Sequence, residues 1–257
     1  QKAVKEAKRV GTVEIAATCE SEQFTRLPSQ RELRLNPAAA YVHYTSNNTI
    51  FGTQWKSPPD VGSVPLVVDA SSDIFSRPID VKRHALIYAG AQKNLGPAGV
   101  VLVIIRADML SRSAPSLHTM LSYAVHAENR SLYNTPPVFA IYVTGLVLKW
   151  IRDQGGLSAV ARVNQRKAEA LYRAIDATEF YRGTAQKDSR SLMNVTFRLP
   201  TEELEKRFVQ EAEASGLDGL KGHRSVGGIR ASLYNAFPEA GVDALVQFMR
   251  DFEKGRG

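Results

Sequence analysis

Three stretches of the chain are apolar at nearly every position: Leu66-Val67-Val68, Leu86-Ile87-Tyr88, and Val100 through Ile105. Unbroken aliphatic runs of this length, bounded by turn residues, predict strands covered on both faces. They put strands at 65–69, 85–90 and 99–106, and shorter apolar patterns add 12–18 and 41–44. The period then changes. Residues 137–153 form a long apolar stretch that predicts a buried helix, to which the Tyr and Phe residues of 133–142 also belong, and 158–176 alternates as an amphipathic helix. Residues 2–9 read as the end of another helix. Beyond Gly183 the pattern gives a strand at 193–199, a helix at 201–214 with Glu202 and Glu203 in its first turn, a Gly-rich strand pair over 217–234 and a helix over 238–254. The whole predicts an α/β large domain over residues 1–153 and a smaller α+β domain over 154–257.

Two of the apolar strands end on a charge. Leu66-Val67-Val68 runs into Asp69, and Leu86-Ile87-Tyr88 runs into the turn Ala89-Gly90-Ala91-Gln92-Lys93-Asn94-Leu95-Gly96-Pro97. A lysine held where solvent is depleted loses its proton readily and becomes a nucleophilic amine, the property that Schiff-base formation with pyridoxal phosphate requires. An aspartate beside the pyridine nitrogen would keep that nitrogen protonated. The residues alone also admit a second reading, with Lys93 a solvated turn residue and Asp69 a cap for a helix starting near Ser71. A second cationic stretch, Lys221-Gly222-His223-Arg224-Ser225-Val226-Gly227-Gly228-Ile229-Arg230, admits two readings as well: an exposed basic hairpin, or two guanidinium forks gripping the ends of a small dianion.

The extended segment Val68 to Asp80, followed by Tyr88 to Gly99, resembles the phosphoserine aminotransferase family of class V, fold-type-I pyridoxal phosphate enzymes. The resemblance implies a mixed, mostly parallel sheet flanked by helices, with pyridoxal 5'-phosphate carried on Lys93 and its ring nitrogen held by Asp69. It further implies cofactor contacts from Thr49 and Gln92, with Asn48 standing where the family usually has glutamate. Asn134-Thr135-Pro136-Pro137 resembles the segment that reaches into a neighbouring subunit, so Asn134 and Thr135 become cofactor contacts of a homodimer with shared sites. His223 and Arg224 take the substrate phosphate and Arg230 the α-carboxylate. The implied reaction is ping-pong transfer of an amino group from L-glutamate to 3-phosphohydroxypyruvate, giving O-phospho-L-serine and 2-oxoglutarate in serine biosynthesis, with phosphohydroxythreonine of the pyridoxine pathway a further substrate to consider. The alternatives are another class V enzyme, such as an alanine-glyoxylate aminotransferase or a cysteine desulfurase, and a non-catalytic fragment. The resemblance begins inside the family's large domain, so the Gly-rich turn, the ring-stacking aromatic and one substrate arginine of the family have no counterpart in residues 1–257.

Composition narrows these readings. The chain has 257 residues, 44% of them hydrophobic, enough for a substantial core. Cys19 is the one cysteine, which excludes an internal disulfide, argues against a desulfurase and suits a reducing, cytoplasmic setting. Its 33 basic and 26 acidic residues give a net charge of +7, dispersed and without interleaved aromatics, which suits anionic small molecules better than nucleic acid. The apolar stretch at 136–151 is too short and too polar for a membrane span. His118 and His126 lack metal-ligand spacing, and His43 and His84 read as packed or surface residues.

Overall fold

The computed structural model describes residues 2–255. After α1 (Lys2–Ala7) and an irregular segment, the chain enters β1 (Val42–Thr45), a tight hairpin of β2 (Asn47–Asn48) and β3 (Thr53–Gln54), then β4 (Leu66–Asp69), β5 (Leu86–Gly90) and β6 (Val101–Ile105). Four of these form one sheet in the order β1-β4-β5-β6, with β1, β4 and β5 parallel and β6 antiparallel at the edge. Val68, Ile74, Ile87, Ala89 and Leu95 are buried as its core. Two short helices, α2 (Ala107–Leu110) and α3 (Tyr123–Glu128), precede the long pair α4 (Val138–Asp153) and α5 (Gly156–Asp176).

A second sheet of three strands, β7 (Arg182–Gly183), β8 (Asn194–Arg198) and β9 (Ile229–Ser232), packs with α5, α6 (Glu202–Ala214) and α7 (Glu239–Lys254). Helix α6 starts at Thr201 because its hydroxyl accepts from the Leu204 N–H, while Glu202, Glu203 and Glu205 oppose the positive helix end. Phe208 is wholly buried, its ring within aromatic contact of Tyr181, Phe197, Phe248 and Phe252. Edge-to-face contacts such as these add to the stabilisation from area burial alone.

The hydrophobic pattern located every strand of the main sheet, and four expectations need correction. Residues 12–18 form no strand; they run as irregular chain with one backbone bond, Arg34 N–H to Ala16 O at 2.9 Å, because no strand lies alongside to pair with them. Cys19, which follows this segment, is buried. Helix α4 is not a core helix: Phe139 is 77% exposed and Tyr142 63%, and only Ala140 and Ile151 are buried. Its apolar circumference exceeds what α5 and the turn between β5 and β6 cover among the described residues. Strand β6 likewise leaves Val101 60% exposed, so the sheet is not covered on both faces throughout. Finally, 217–234 holds a single strand, β9, joined to Lys221 by an isolated bridge at Ile229. The intervening glycines make a turn instead of a partner strand: Gly227 and Gly228 have φ of +70° and +72°, and a β-carbon on Gly222 would collide with the Gly227 carbonyl oxygen.

Candidate functional site

The parallel register sets Thr45, Asp69 and Tyr88 side by side on three strands. With the two-residue period of a strand, His43, Asp69 and Tyr88 face the same side of the sheet. There His43 Nε2 and Tyr88 Oη lie 3.0 Å apart. Burial, with the Asp69 charge as its next cause, pushes the Tyr88 phenol up to about 12. Burial pushes the His43 imidazole down despite the opposing effect of Asp69, so His43 is held neutral. Asp69 itself accepts from the Ser71 N–H at 2.9 Å, the capping contact anticipated for it, although 71–75 form turns and not a helix.

Lys93 follows the end of β5 within a tight turn closed by the Leu95 and Gly96 N–H groups on Ala91 O. Its side chain is exposed, and the surrounding protein nonetheless lowers its amine pKa through desolvation; Asp69 opposes that shift and Arg230 adds to it. Lys93 thus stands between an anion and a cation that arrive from different sheets. Arg230, on β9, donates from Nη1 to the Thr49 carbonyl at 3.2 Å across 181 residues of sequence, and its Nε is buried without a hydrogen-bond partner among the described residues. A buried guanidinium N–H left unpaired is costly and points to an acceptor supplied from outside the chain. Gln92 folds back over the end of β5, where a β-carbon at Gly90 would stand 2.7 Å from its Oε1.

Asp69, Lys93, Arg230 and the Thr49 backbone therefore gather, while four other sequence candidates do not join them by direct bonds. His223 engages Ser225 through Nδ1, at 2.7 Å from the hydroxyl, and Arg224 is exposed in the turn leading to β9. Asn134 and Thr135 are exposed, with Asn134 Nδ2 3.1 Å from Met120 Sδ.

Sequence reasoning missed the supports of this group. His43 and Tyr88 were assigned no role, although the alternation of β1 and β5 with Asp69 would have put them on its face. A further seam fixes the residue after Lys93. Asn94 Nδ2 donates to Ile74 O at 2.6 Å, and its Oδ1 accepts from the Asn235 N–H at 2.9 Å. Asn235 Nδ2 in turn donates to Phe75 O and its Oδ1 accepts from Asn164, which also reaches Ser76 O. Beside them Lys167 is buried, its amine pushed down to about 8 by desolvation, and donates to the carbonyls of Leu233, Tyr234 and Phe237. No pattern of period two or 3.6 marks such residues, because each bonds across the boundary between the two sheets. Among the described residues no cluster of His, Cys, Asp and Glu has the geometry of a metal site, and no helix is long and apolar enough to cross a membrane.

The sequence model of the aminotransferase class-V family matches residues 2–245. A phosphoserine aminotransferase of Herpetosiphon aurantiacus is 57% identical over 258 aligned residues, covering 100% of this chain and 72% of that protein. The solved structure of a phosphoserine aminotransferase from Bacillus circulans subsp. alkalophilus superposes with a TM-score of 0.98 at 55% identity, covering 100% of this chain and 71% of that one. The pyridoxal-phosphate-bound phosphoserine aminotransferase of Trichomonas vaginalis follows at TM-score 0.92 and 40% identity, with 97% of this chain and 72% of that one covered.

Proposed function

The chain belongs to the aminotransferase class-V family, and from that premise we propose that it carries out the phosphoserine aminotransferase reaction, moving an amino group between L-glutamate and 3-phosphohydroxypyruvate. The observation that carries this reading is the convergence on Lys93: a desolvated amine between the Asp69 carboxylate and the Arg230 guanidinium. The donor set fits pyridoxal phosphate, since it offers an amine for an aldehyde, a carboxylate for a ring nitrogen and an unpartnered guanidinium N–H for an anionic substrate. When bound, that coenzyme supplies the aldehyde and an electron-accepting ring.

The residues that would hold it are Asp69, Lys93, Thr49 and Gln92, joined by Asn134 and Thr135 of a second copy in a homodimer. The exposed apolar side of α4, immediately after Asn134 and Thr135, supports that assembly. Asp69 keeps one carboxylate oxygen on the Ser71 N–H, which fixes its plane. Lys93 has the lowered basicity of a general base: its Nζ accepts the proton from the α-carbon of the amino donor and returns a proton to the α-carbon of the product of the second half-reaction. Arg230 is held at the Thr49 carbonyl and can turn its free Nε to the carboxylate common to both substrates. His223 and Arg224, on the turn entering β9, would meet the phosphate of one substrate and the side-chain carboxylate of the other. Neutral His43 and the high-pKa Tyr88 hold the Asp69 side of the site without adding a competing charge. A cytoplasmic setting accompanies this reading.

Absorbance spectroscopy tests it. Adding pyridoxal phosphate should give a visible band that L-glutamate bleaches and that Lys93→Ala lacks. A folded chain of correct mass that takes up no coenzyme, or a band unchanged in Lys93→Ala, would overturn the proposal.

A further inference from the structure

A cleft of about 660 Å³ lies away from the Lys93 group, between the turn after β3, the outer side of α5 and the segment following β7. Lys56 and Arg77 stand on one wall, with Arg173, Lys187 and Arg190 on the other. Glu169 is the one carboxylate among the lining residues, and its Oε1 already accepts from Gln165. Asp176, behind the wall, is engaged by both terminal nitrogens of Arg190 at 2.7 Å and lies 3.8 Å from Lys187. The five cations are opposed by Glu169 and Asp176, both already partnered, by Asp73 at 3.9 Å from Arg77, and by the charge of Asp188 acting on Lys56.

Arg77, Arg190 and Lys56 are held by hydrogen bonds, while Arg173 and Lys187 are exposed. The Arg190 side chain is 13% exposed, fixed bidentately by Asp176 and laid over the Tyr172 ring at 4.4 Å. Its Nε is buried and has no hydrogen-bond partner among the described residues. Arg77 is pinned by donating to the carbonyls of Trp55 and Lys56, while the Lys56 amine donates to the Arg190 carbonyl and so ties the two walls together. Desolvation by the surrounding protein lowers the Lys56 pKa and the Arg77 charge lowers it further, so that the opposing charge of Asp188 does not offset them.

We propose that this cleft is a second anion site, taking a small multivalent oxyanion of the phosphate class. Fixed guanidinium forks with a flexible ammonium between them match a tetrahedral oxyanion, and several converging cations favour a dianion over a halide. A nucleic-acid strand is disfavoured, because the one ring present, Tyr172, is already covered by Arg190 and offers no stacking face. The ligand is free phosphate or the phosphate end of a phosphomonoester, and the site is independent of the substrate reading given for Arg230.

Isothermal titration at low ionic strength tests the site in a chain carrying Arg230→Ala, His223→Ala and Arg224→Ala, so that the proposed substrate site cannot contribute. Inorganic phosphate and O-phospho-L-serine are titrated separately. One-to-one binding is expected, weakened by about tenfold or more when Lys56→Ala and Arg173→Ala are added, and unchanged by Lys82→Ala, a surface control. Both substituted lysines and Arg173 are exposed, so folding is preserved and circular dichroism verifies it. Binding of both ligands assigns the site to the bare phosphate group, and binding of O-phospho-L-serine alone assigns it to a phosphomonoester. No heat with either ligand, or binding indifferent to Lys56→Ala with Arg173→Ala, overturns the proposal.

Discussion

The core around Phe208 and the surface around α4 are both rich in aromatic and aliphatic side chains, yet one is closed and the other open. In the first, β8, β9, α5, α6 and α7 surround Phe197, Phe208 and Met249 on every side. In the second, α4 turns Val138, Phe139 and Tyr142 to solvent, and β6 keeps an exposed edge residue. Apolar content alone does not tell which segment will be buried. What decides is whether covering elements lie on all sides, and among the described residues α4 packs on α5 and on the turn between β5 and β6, where Gly96 meets Thr144 and Gly99 meets Ala140.

The sharpest way to break this contrast is to remove matching aromatics from the two regions. Phe208→Ala should cost about 3–5 kcal/mol of unfolding free energy in a denaturant titration, since it removes a wholly buried ring and leaves a cavity among four others. Lys167→Met comes next, with an expected loss of about 2–3 kcal/mol from leaving the Leu233, Tyr234 and Phe237 carbonyls without their donor. That substitution has a pH arm. The Lys167 amine binds its proton less tightly folded, at about 8, than at its ordinary 10.5. Between those values the unfolded chain holds the extra proton, so this residue makes stability rise as pH increases from about 8 to 10.5, with its penalty fully present below 8. Thermal melts across that window should show this component in the wild type and lack it in Lys167→Met.

Asn94→Ala is expected to cost about 1–3 kcal/mol by stranding the Ile74 carbonyl and the Asn235 N–H, and to slow pyridoxal phosphate uptake at the neighbouring Lys93. Smallest of all, Phe139→Ser should change the stability of the isolated chain by less than about 0.5 kcal/mol, because its ring is already in water. It should instead shift the sedimentation equilibrium toward monomer. A loss comparable to that of Phe208→Ala would show that α4 is covered within a single chain and dissolve the contrast.

Much of the scaffold was legible because it follows repeating rules. The strands at Leu66–Asp69 and Leu86–Gly90 announce themselves as aliphatic runs, and α6 announces its start through Thr201 and the glutamates behind it. The charged ends of those strands likewise marked Asp69 and the approach to Lys93. Illegible features depend on pairing at long range. Residues 12–18 have strand-like content and no neighbour to bond, 217–234 trades its expected partner strand for a glycine turn, and Arg230 acquires its meaning only where it meets Thr49. Asn164 and Asn235 look like ordinary polar residues until their amides are seen to bridge the two sheets.

The Asn94–Asn235 bond also imposes an order of events on a chain made from its N-terminus. The two residues are 141 positions apart. At roughly 5–20 residues per second, a ribosome needs on the order of ten seconds or more after making Asn94 before Asn235 exists. Throughout that interval the turn bearing Lys93 lacks its last restraint. The reactive amine is therefore set in place late, when the C-terminal strand arrives, and a nascent chain carries the lysine well before it carries a finished site.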